Sequence, residues 1–596
     1  MNLPIFITLS AFAGAVSLFA VYLHGTRPSR SLKPDYFSFG PFGSRDILFF
    51  LAWATPVVIF FVVWGVTTVN IPYQDDIDAI LESTSTIVEG TGSLRELWSA
   101  LSKQDDERRI VVVRLVACLM YWASGSIDFR FLAFAGICSY LVFLKLVFGW
   151  FRAQQNLSPA LLLPVPYLLF SNFNYEALYW SIIPLQQIAI YVWGFASIWL
   201  VSQNTRRSLV CGAGMGILAI YSDVSGVFVG PVAALMLLAR REWLAAAFWI
   251  VLFGFITLFY FQGLLVPDFR PTSAQNLSSW REMLLMAVAM PGMITDVMLD
   301  KSDATRLALS AVAGVVSLSL VGIGAFFFGK KIIRAPHTIT PNQWWLAGCI
   351  LFLLATFLAL AFGRAAFGAQ TILLSRYKHI FTFWAIFNYL LLLQQPAFQR
   401  ILSRRIIILQ ISAVIYFGSS YFQTWADMMY FRKTIQTDAY GWTKNREFPS
   451  APIYITVKET VDAIFENALR NRIYQFPDFP FENLRRAEIR GSSDIAVRTA
   501  DFIQVGTEAP ALQCSPDDGI YLIIHSGDEM HMLPMRMRRN SFLCFLRTGH
   551  YYAGYCESMG MLRQYLSKNK KYKLTLGVIN GPNRYLLTTG KEVSIS

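Results

Sequence analysis

Ionisable side chains are scarce in this chain: only 15% of its 596 residues are Asp, Glu, Lys or Arg, against 55% that are hydrophobic. With a mean hydropathy of +0.44, that shortage excludes an ordinary soluble protein and leaves a polytopic membrane protein. Metal-ligand patterns are missing too. Among six His and seven Cys there is no Cys-x-x-Cys and no His-x-x-x-His, so no cofactor is predicted and a divalent metal is unsupported. Cys118, Cys138, Cys211 and Cys349 fall in apolar runs as packing residues, while Cys514, Cys544 and Cys556 allow one disulfide and one spare thiol. No repeat or low-complexity segment is evident.

What is abundant is apolar sequence of spanning length. Runs able to cross about 30 Å of hydrocarbon lie near residues 4–23, 47–69, 129–150, 158–173, 178–201, 208–222, 224–239, 243–261, 305–328, 343–362, 379–395 and 405–422, which predicts about twelve transmembrane helices. The net charge of +13 sits in short loops between these runs and marks topology rather than a nucleic-acid partner. Loops holding Arg27, Arg30, Lys33 and Arg45, then Arg152, Arg206-Arg207, Arg240-Arg241, Lys330-Lys331-Arg334 and Arg400-Arg404-Arg405, are expected to be cytoplasmic. They alternate strictly if Arg109–Ala123 lies along the outer interface instead of crossing. The first run has no basic n-region and its positive charges follow it, so an external N-terminus without a cleaved signal peptide is expected.

Charge becomes frequent and nearly balanced after about Tyr421, and this tail is expected to be a soluble β-rich domain, with a sandwich as one form. Ile453–Arg472 reads as a helix; Ile520–His525, Phe542–Arg547, Lys573–Ile579 and Tyr585–Thr588 read as strands. Ser526-Gly527-Asp528 and Asn580-Gly581-Pro582 read as turns.

The polar residues that remain collect where apolar runs end. Asp75, Asp76 and Asp78 follow the second run in Asn70-Ile-Pro-Tyr-Gln-Asp-Asp-Ile-Asp78, and carboxylates at such a boundary point to chemistry or ion handling. Gly92-Ser-Leu-Arg-Glu-Leu-Trp98 and Asp105-Asp-Glu-Arg-Arg-Ile110 come next, then Asn172-Phe-Asn-Tyr-Glu-Ala-Leu-Tyr-Trp180 with Glu176. Gly363-Arg-Ala-Ala-Phe-Gly-Ala-Gln-Thr-Ile-Leu-Leu-Ser-Arg-Tyr-Lys-His379 gathers Arg364, Arg376, Lys378 and His379 around Tyr377.

These strings resemble the integral-membrane glycosyltransferases of the GT-C fold, which use polyprenyl-phosphate sugars. Acidic pair, Leu-Trp segment, Glu-containing second loop and Gly-Arg…Ser-Arg-Tyr signature all have counterparts, although Asp106-Glu107-Arg108-Arg109 stands where Asn-Glu-His-Arg is usual. The resemblance covers residues 47–425; the extra span in 1–46 looks like an addition and the tail, 426–596, is not covered.

The resemblance implies a bacterial inner-membrane enzyme with a periplasmic tail. Its donor is a polyprenyl-phosphate-linked sugar, and its acceptor a polysaccharide such as lipopolysaccharide or O-antigen, or a protein. Asp75 or Asp76 is then the general base, with Asp78 and Glu176 facing the same cavity, and Arg364, Arg376, Tyr377, Lys378 and His379 around the lipid-phosphate leaving group. One displacement with a single base inverts the anomeric centre.

Duller roles compete for the same residues. The Asp cluster suits an N-cap for a helix at Ile77–Glu82, Asp223 suits a turn, Arg364 and Arg376 suit lipid headgroups, and Lys378 and His379 suit an interface. Trp180 is expected in an aromatic belt. A lipid-linked-glycan transporter or flippase, or a scaffold with a partner-binding tail, is the alternative. A transporter would carry its carboxylates near the bilayer midplane, whereas here they sit at boundaries.

Overall fold

The computed structural model describes residues 44–594 except 91, 155–156, 269, 451–456, 500–501, 511, 513–514, 528, 559–560, 563–564 and 568–569. The expected span at 4–23, the basic residues Arg27, Arg30 and Lys33, nearly all of the unit assigned to 1–46, the start of the helix expected from Ile453, and Cys514 lie outside the described residues.

In chain order the helical part comprises α1 (Ser44–Thr67), α2 (Val111–Ser124), α3 (Phe129–Arg152), α4 (Pro184–Gln203), α5 (Arg206–Ile220), α6 (Val224–Ala239), α7 (Trp243–Phe261), α8 (Asp303–Arg334), α9 (Pro341–Arg364), α10 (Lys378–Leu393) and α11 (Ile406–Asn445). Seven of these, α1, α3, α4, α7, α8, α9 and α11, are long and apolar enough to cross a membrane. The other four predicted spans within the described residues fall short. The run at 158–173 is broken by Pro159, Pro164 and Pro166 into two 3₁₀ turns flanking the six-residue helix Pro164–Leu169. α5 and α10 have 15 and 16 residues. That is about 23 Å at 1.5 Å per residue, less than the hydrocarbon thickness.

α5 and α6 form a hairpin whose tip carries Asp223. The turn closes because position 226 is glycine: a Cβ there would lie 2.3 Å from the Ala219 carbonyl. An edge-to-face aromatic cluster binds the bundle, with Phe143 against Phe383 and Phe195 against Phe387, both at 4.8 Å between centroids.

The expected domain boundary at 425/426 falls inside a continuous helix, since α11 runs 40 residues from the bundle into the tail. After it come α12 (Lys458–Arg470), β1 (Glu488–Ser492), β2 (Ile495–Thr499), β3 (Phe502–Glu508), β4 (Gly519–Ser526), β5 (Glu529–Arg539), α13 (Phe542–Thr548), β6 (Tyr552–Ser558), β7 (Met561–Leu562), β8 (Lys571–Asn580) and β9 (Asn583–Ser594). The strands form a single sheet in the order β1-β9-β8-β4-β5-β6-β3-β2, with β7 beside β3 and only β1–β9 parallel. β5 pairs with β4 through Glu529–Pro534 and with β6 from Met535 onward, so the sheet folds over at β5. Ile503 and Val505 of one half and Leu522 and Leu576 of the other share one core, sandwich-like but without a break between sheets.

Phe542–Arg547 is helical, not a strand. Ser541 caps it by accepting from the Cys544 N–H, and Gly549 ends it in the left-handed region at φ 70°. Cys544 and Cys556 are both free thiols, Cys556 in the core and Cys544 on α13.

The tail is packed into the bundle rather than tethered to it. Phe465, Ile473 and Tyr474 belong to the same core as the bundle helices, and Arg432–Asp517 and Arg536–Asp427 pair across the junction at 2.7 and 2.6 Å. The Tyr551 hydroxyl accepts from the Ala426 N–H (3.1 Å) and donates to the Phe422 carbonyl (2.8 Å), the pair an α-helix joins directly. In Tyr551→Phe those two backbone groups can close on each other, so the expected loss is about 1 kcal/mol. Tyr551→Ala also empties a buried ring site and is expected to cost about 3–5 kcal/mol. Thermal unfolding of the two variants in detergent checks the order.

Candidate active site

A cavity of about 630 Å³ opens at the end of the bundle remote from the basic loops, and three separated stretches of sequence meet in it. The first follows α1. Gln74, in the left-handed region at φ 47°, turns the chain into a π-helical turn, Ile77–Glu82, that brings Asp75 and Asp78 to the cavity wall. The second is a two-rung hairpin, Gln104–Asp105 paired with Arg108–Arg109, whose tip residue Asp106 is also left-handed at φ 49°. The third runs from the end of α9 to the start of α10 and supplies Arg364, Arg376 and Tyr377.

Arg108 organises the acidic side. Its guanidinium reaches Asp75 Oδ2 at 3.3 Å, Asp105 Oδ2 at 3.2 Å and Asp223 Oδ2 at 3.8 Å. Asp223 also caps the turn that begins α6 and accepts from Gln186 Nε2 at 3.1 Å, so it is a turn residue that also lines the cavity. Gln186 lies on a second π-helical turn, Pro184–Ile188, packed against Gly136, where a Cβ would meet the Pro184 and Leu185 backbone at 2.3 Å. Gln186 Oε1, buried in the wall, has no hydrogen-bond partner among the described residues.

On the basic side Arg270 pairs with Asp106 and, at 2.7 Å, with Glu107; Glu107 in turn holds Arg364 at 2.9 Å. Arg376 makes no ion pair among the described residues and lies 5.6 Å from the Tyr377 ring. It is the cavity's uncommitted cation. Burial lowers Arg270 to about 10, with crowding by the neighbouring Arg364 and Arg376 adding to it. Burial raises the carboxyl of Asp75, opposed by Arg108; Asp78 is open to the cavity, but the protein packed around it and the nearby Asp105 and Asp75 carboxylates raise it to about 7.

The remaining expected site residues lie behind the wall. Asp76 is fully buried: Oδ2 accepts from Tyr73 N and Oδ1 from Ile182 N, both at 2.9 Å, so it fastens the acidic loop to the segment before α4 and does not face water. Glu176 is half-buried and outside the cavity lining. Its Oε2 accepts from Arg376 N at 3.2 Å while its own N–H donates to Ser375 Oγ at 3.2 Å, stapling the second and third strings together. Burial raises its carboxyl and Arg376 opposes that.

Lys378 is spent on Asp296 (2.9 Å), which Arg306 grips with both Nε and Nη2. His379 is buried against Tyr191, 3.1 Å from the Gln187 carbonyl that it supports. Neither lines the cavity. Trp180, expected in a belt, does line it.

Arg108, Asp105, Arg270, Gln186 and Gln187 are site residues that the strings did not single out for chemistry. Arg108 lay in a quoted string, and its position beside two acidic residues was the available signal. Among the described residues no group of three or more His, Cys, Asp or Glu is arranged to hold a metal ion. No protein-family model and no curated protein matches the chain.

Asp76→Ala strands two buried N–H groups and is expected to lower stability by about 3 kcal/mol or more, whereas Asp75→Asn, at the cavity surface, leaves the melting temperature nearly unchanged. Asp78 binds its proton more tightly folded than unfolded, so its ionisation subtracts stability as pH rises from about 4 to about 7. Thermal unfolding of Asp78→Asn, compared with wild type, should show a stability advantage that grows from pH 5 to pH 8.

Proposed function

We propose that the chain is a GT-C-type glycosyltransferase of a bacterial inner membrane. It moves a sugar from a polyprenyl-phosphate donor to a cell-surface glycan or protein with inversion, on the periplasmic side. The observation that carries this reading is the convergence of ionisable carboxylates and an uncommitted arginine in one cavity beside apolar helices.

Such a donor is half lipid and half polar, and it needs a cation for the phosphate, acceptors for sugar hydroxyls and a base for the attacking hydroxyl. Arg376, backed by Arg364 and Arg270, supplies the cation where charge builds on the departing phosphate. Gln186 Oε1 offers an acceptor to a sugar hydroxyl. Asp75 and Asp78 are the base candidates; Asp76 is left out because both its oxygens are engaged by backbone N–H groups. A carboxyl near 7 is suited to accept a proton at neutral pH.

The step itself is a single displacement. The acceptor oxygen bonds to the anomeric carbon as the carbon–phosphate oxygen bond breaks, the electron pair leaves with the lipid phosphate, and the hydroxyl proton passes to the carboxylate.

The test is a mass profile of envelope glycans and proteins in a deletion strain carrying wild type, Asp75→Asn/Asp78→Asn or Arg376→Ala at matched expression. A hexose- or pentose-sized mass present with wild type and absent with both variants is the expected result. Its persistence with the double carboxamide variant would defeat the base assignment, and identical profiles in every strain, including the empty deletion, would defeat glycosyl transfer.

A further inference from the structure

The tail carries one apolar surface that its own fold does not cover. On α13, Phe542, Leu543 and Leu546 are 57%, 67% and 63% exposed. Elsewhere in the tail beyond α11, exposed large apolar side chains occur only singly among the described residues, at Val457, Ile489 and Tyr555, and of these only Ile489 is as open. One flank of α13 is anchored: the Phe422 ring of α11 meets the half-buried Phe545 at 5.6 Å and the edge of the otherwise exposed Phe542 at 5.4 Å.

Phe422 fixes the height of this helix. α11 starts at Ile406, directly after Arg404 and Arg405, and its sixteen residues to Phe422 rise about 24 Å. With the basic end at the cytoplasmic surface, that brings Phe422 close to the far edge of about 30 Å of hydrocarbon. Arg539, which pairs with Asp300 just before α8, lies over the same ring, and exposed Arg547 and His550 flank the apolar face. An apolar face with cations at its margin, held at the boundary plane, has the chemistry of an interfacial helix.

We propose that α13 is a membrane anchor whose Phe542, Leu543 and Leu546 enter the outer leaflet beside α11. The tail is then fastened to the bilayer at a second point, independently of what the cavity does. The occupant is membrane lipid because the face is mounted, through the buried Phe422, on a helix long and apolar enough to cross a membrane, at the height where that helix leaves the hydrocarbon.

Full-length protein in nanodiscs containing a phospholipid with a diazirine on its acyl chain tests this. After irradiation and trypsin digestion, lipid adducts on the peptide Asn540–Arg547 are expected at roughly tenfold the level on Ala487–Arg490, whose Ile489 is just as exposed; burying one leucine gives a bias of that order. In Leu543→Ser/Leu546→Ser the adduct should fall while labelling of α7 and α8 is unchanged. Equal labelling of the two peptides would overturn the anchor. So would capture of a second copy of the chain, rather than lipid, by a photoreactive residue at position 543.

Discussion

One guanidinium on the cavity wall holds three of its loops together. Arg108 sits among Asp75, Asp105 and Asp223, which come from the loop after α1, the hairpin and the tip of the α5–α6 pair. Three carboxylates so close cannot coexist ionised in a poorly hydrated site without a cation between them, and truncating that cation leaves charges buried and unpaired. The same side chain therefore draws the loops together and opposes the rise that burial imposes on the Asp75 carboxyl. Across the cavity the chain Asp106–Arg270–Glu107–Arg364 neutralises itself, which leaves Arg376 as the cation available to a ligand.

The tail contributes to this arrangement from outside. The Tyr474 hydroxyl donates to the Asn70 carbonyl at 2.9 Å, Asn70 Oδ1 accepts from Phe129 N at 2.8 Å, and Ile127 N donates to the Ile473 carbonyl at 2.7 Å. Tyr73 is wedged between Trp180 and Phe431 of α11. The acidic loop is thus clamped between bundle and tail, and α11, continuous through both, transmits the position of one to the other.

Much of this was legible in the sequence, and what was not has physical reasons. Apolar runs located the helices, but hydropathy does not measure unbroken helix length, so the proline-rich run at 158–173 and the short α5, α6 and α10 read as spans. The Asp cluster, Asp223 and Arg364–Tyr377 were found because charge is rare beside apolar sequence. Their orientations were not, since a turn has no period: Asp75 faces the cavity while Asp76 faces the core, and Arg376 and Lys378 diverge in the same way. Arg270 and Gln186 depend on partners far along the chain, as do two of the three carboxylates around Arg108, and no local string encodes them. α13 was misread because a short apolar run suits strand and helix alike, and its caps decided the outcome.

On the proposed function, a lipid-linked phosphate occupies the cavity beside Arg376. That occupancy is tested most directly by a structure of the full-length protein in nanodiscs saturated with a polyprenyl-phosphate sugar. Phosphate density is expected within hydrogen-bonding reach of the Arg376 guanidinium, with the sugar between it and the Asp75 and Asp78 carboxylates. An empty cavity at saturation, or a phosphate bound away from Arg376, would contradict that placement.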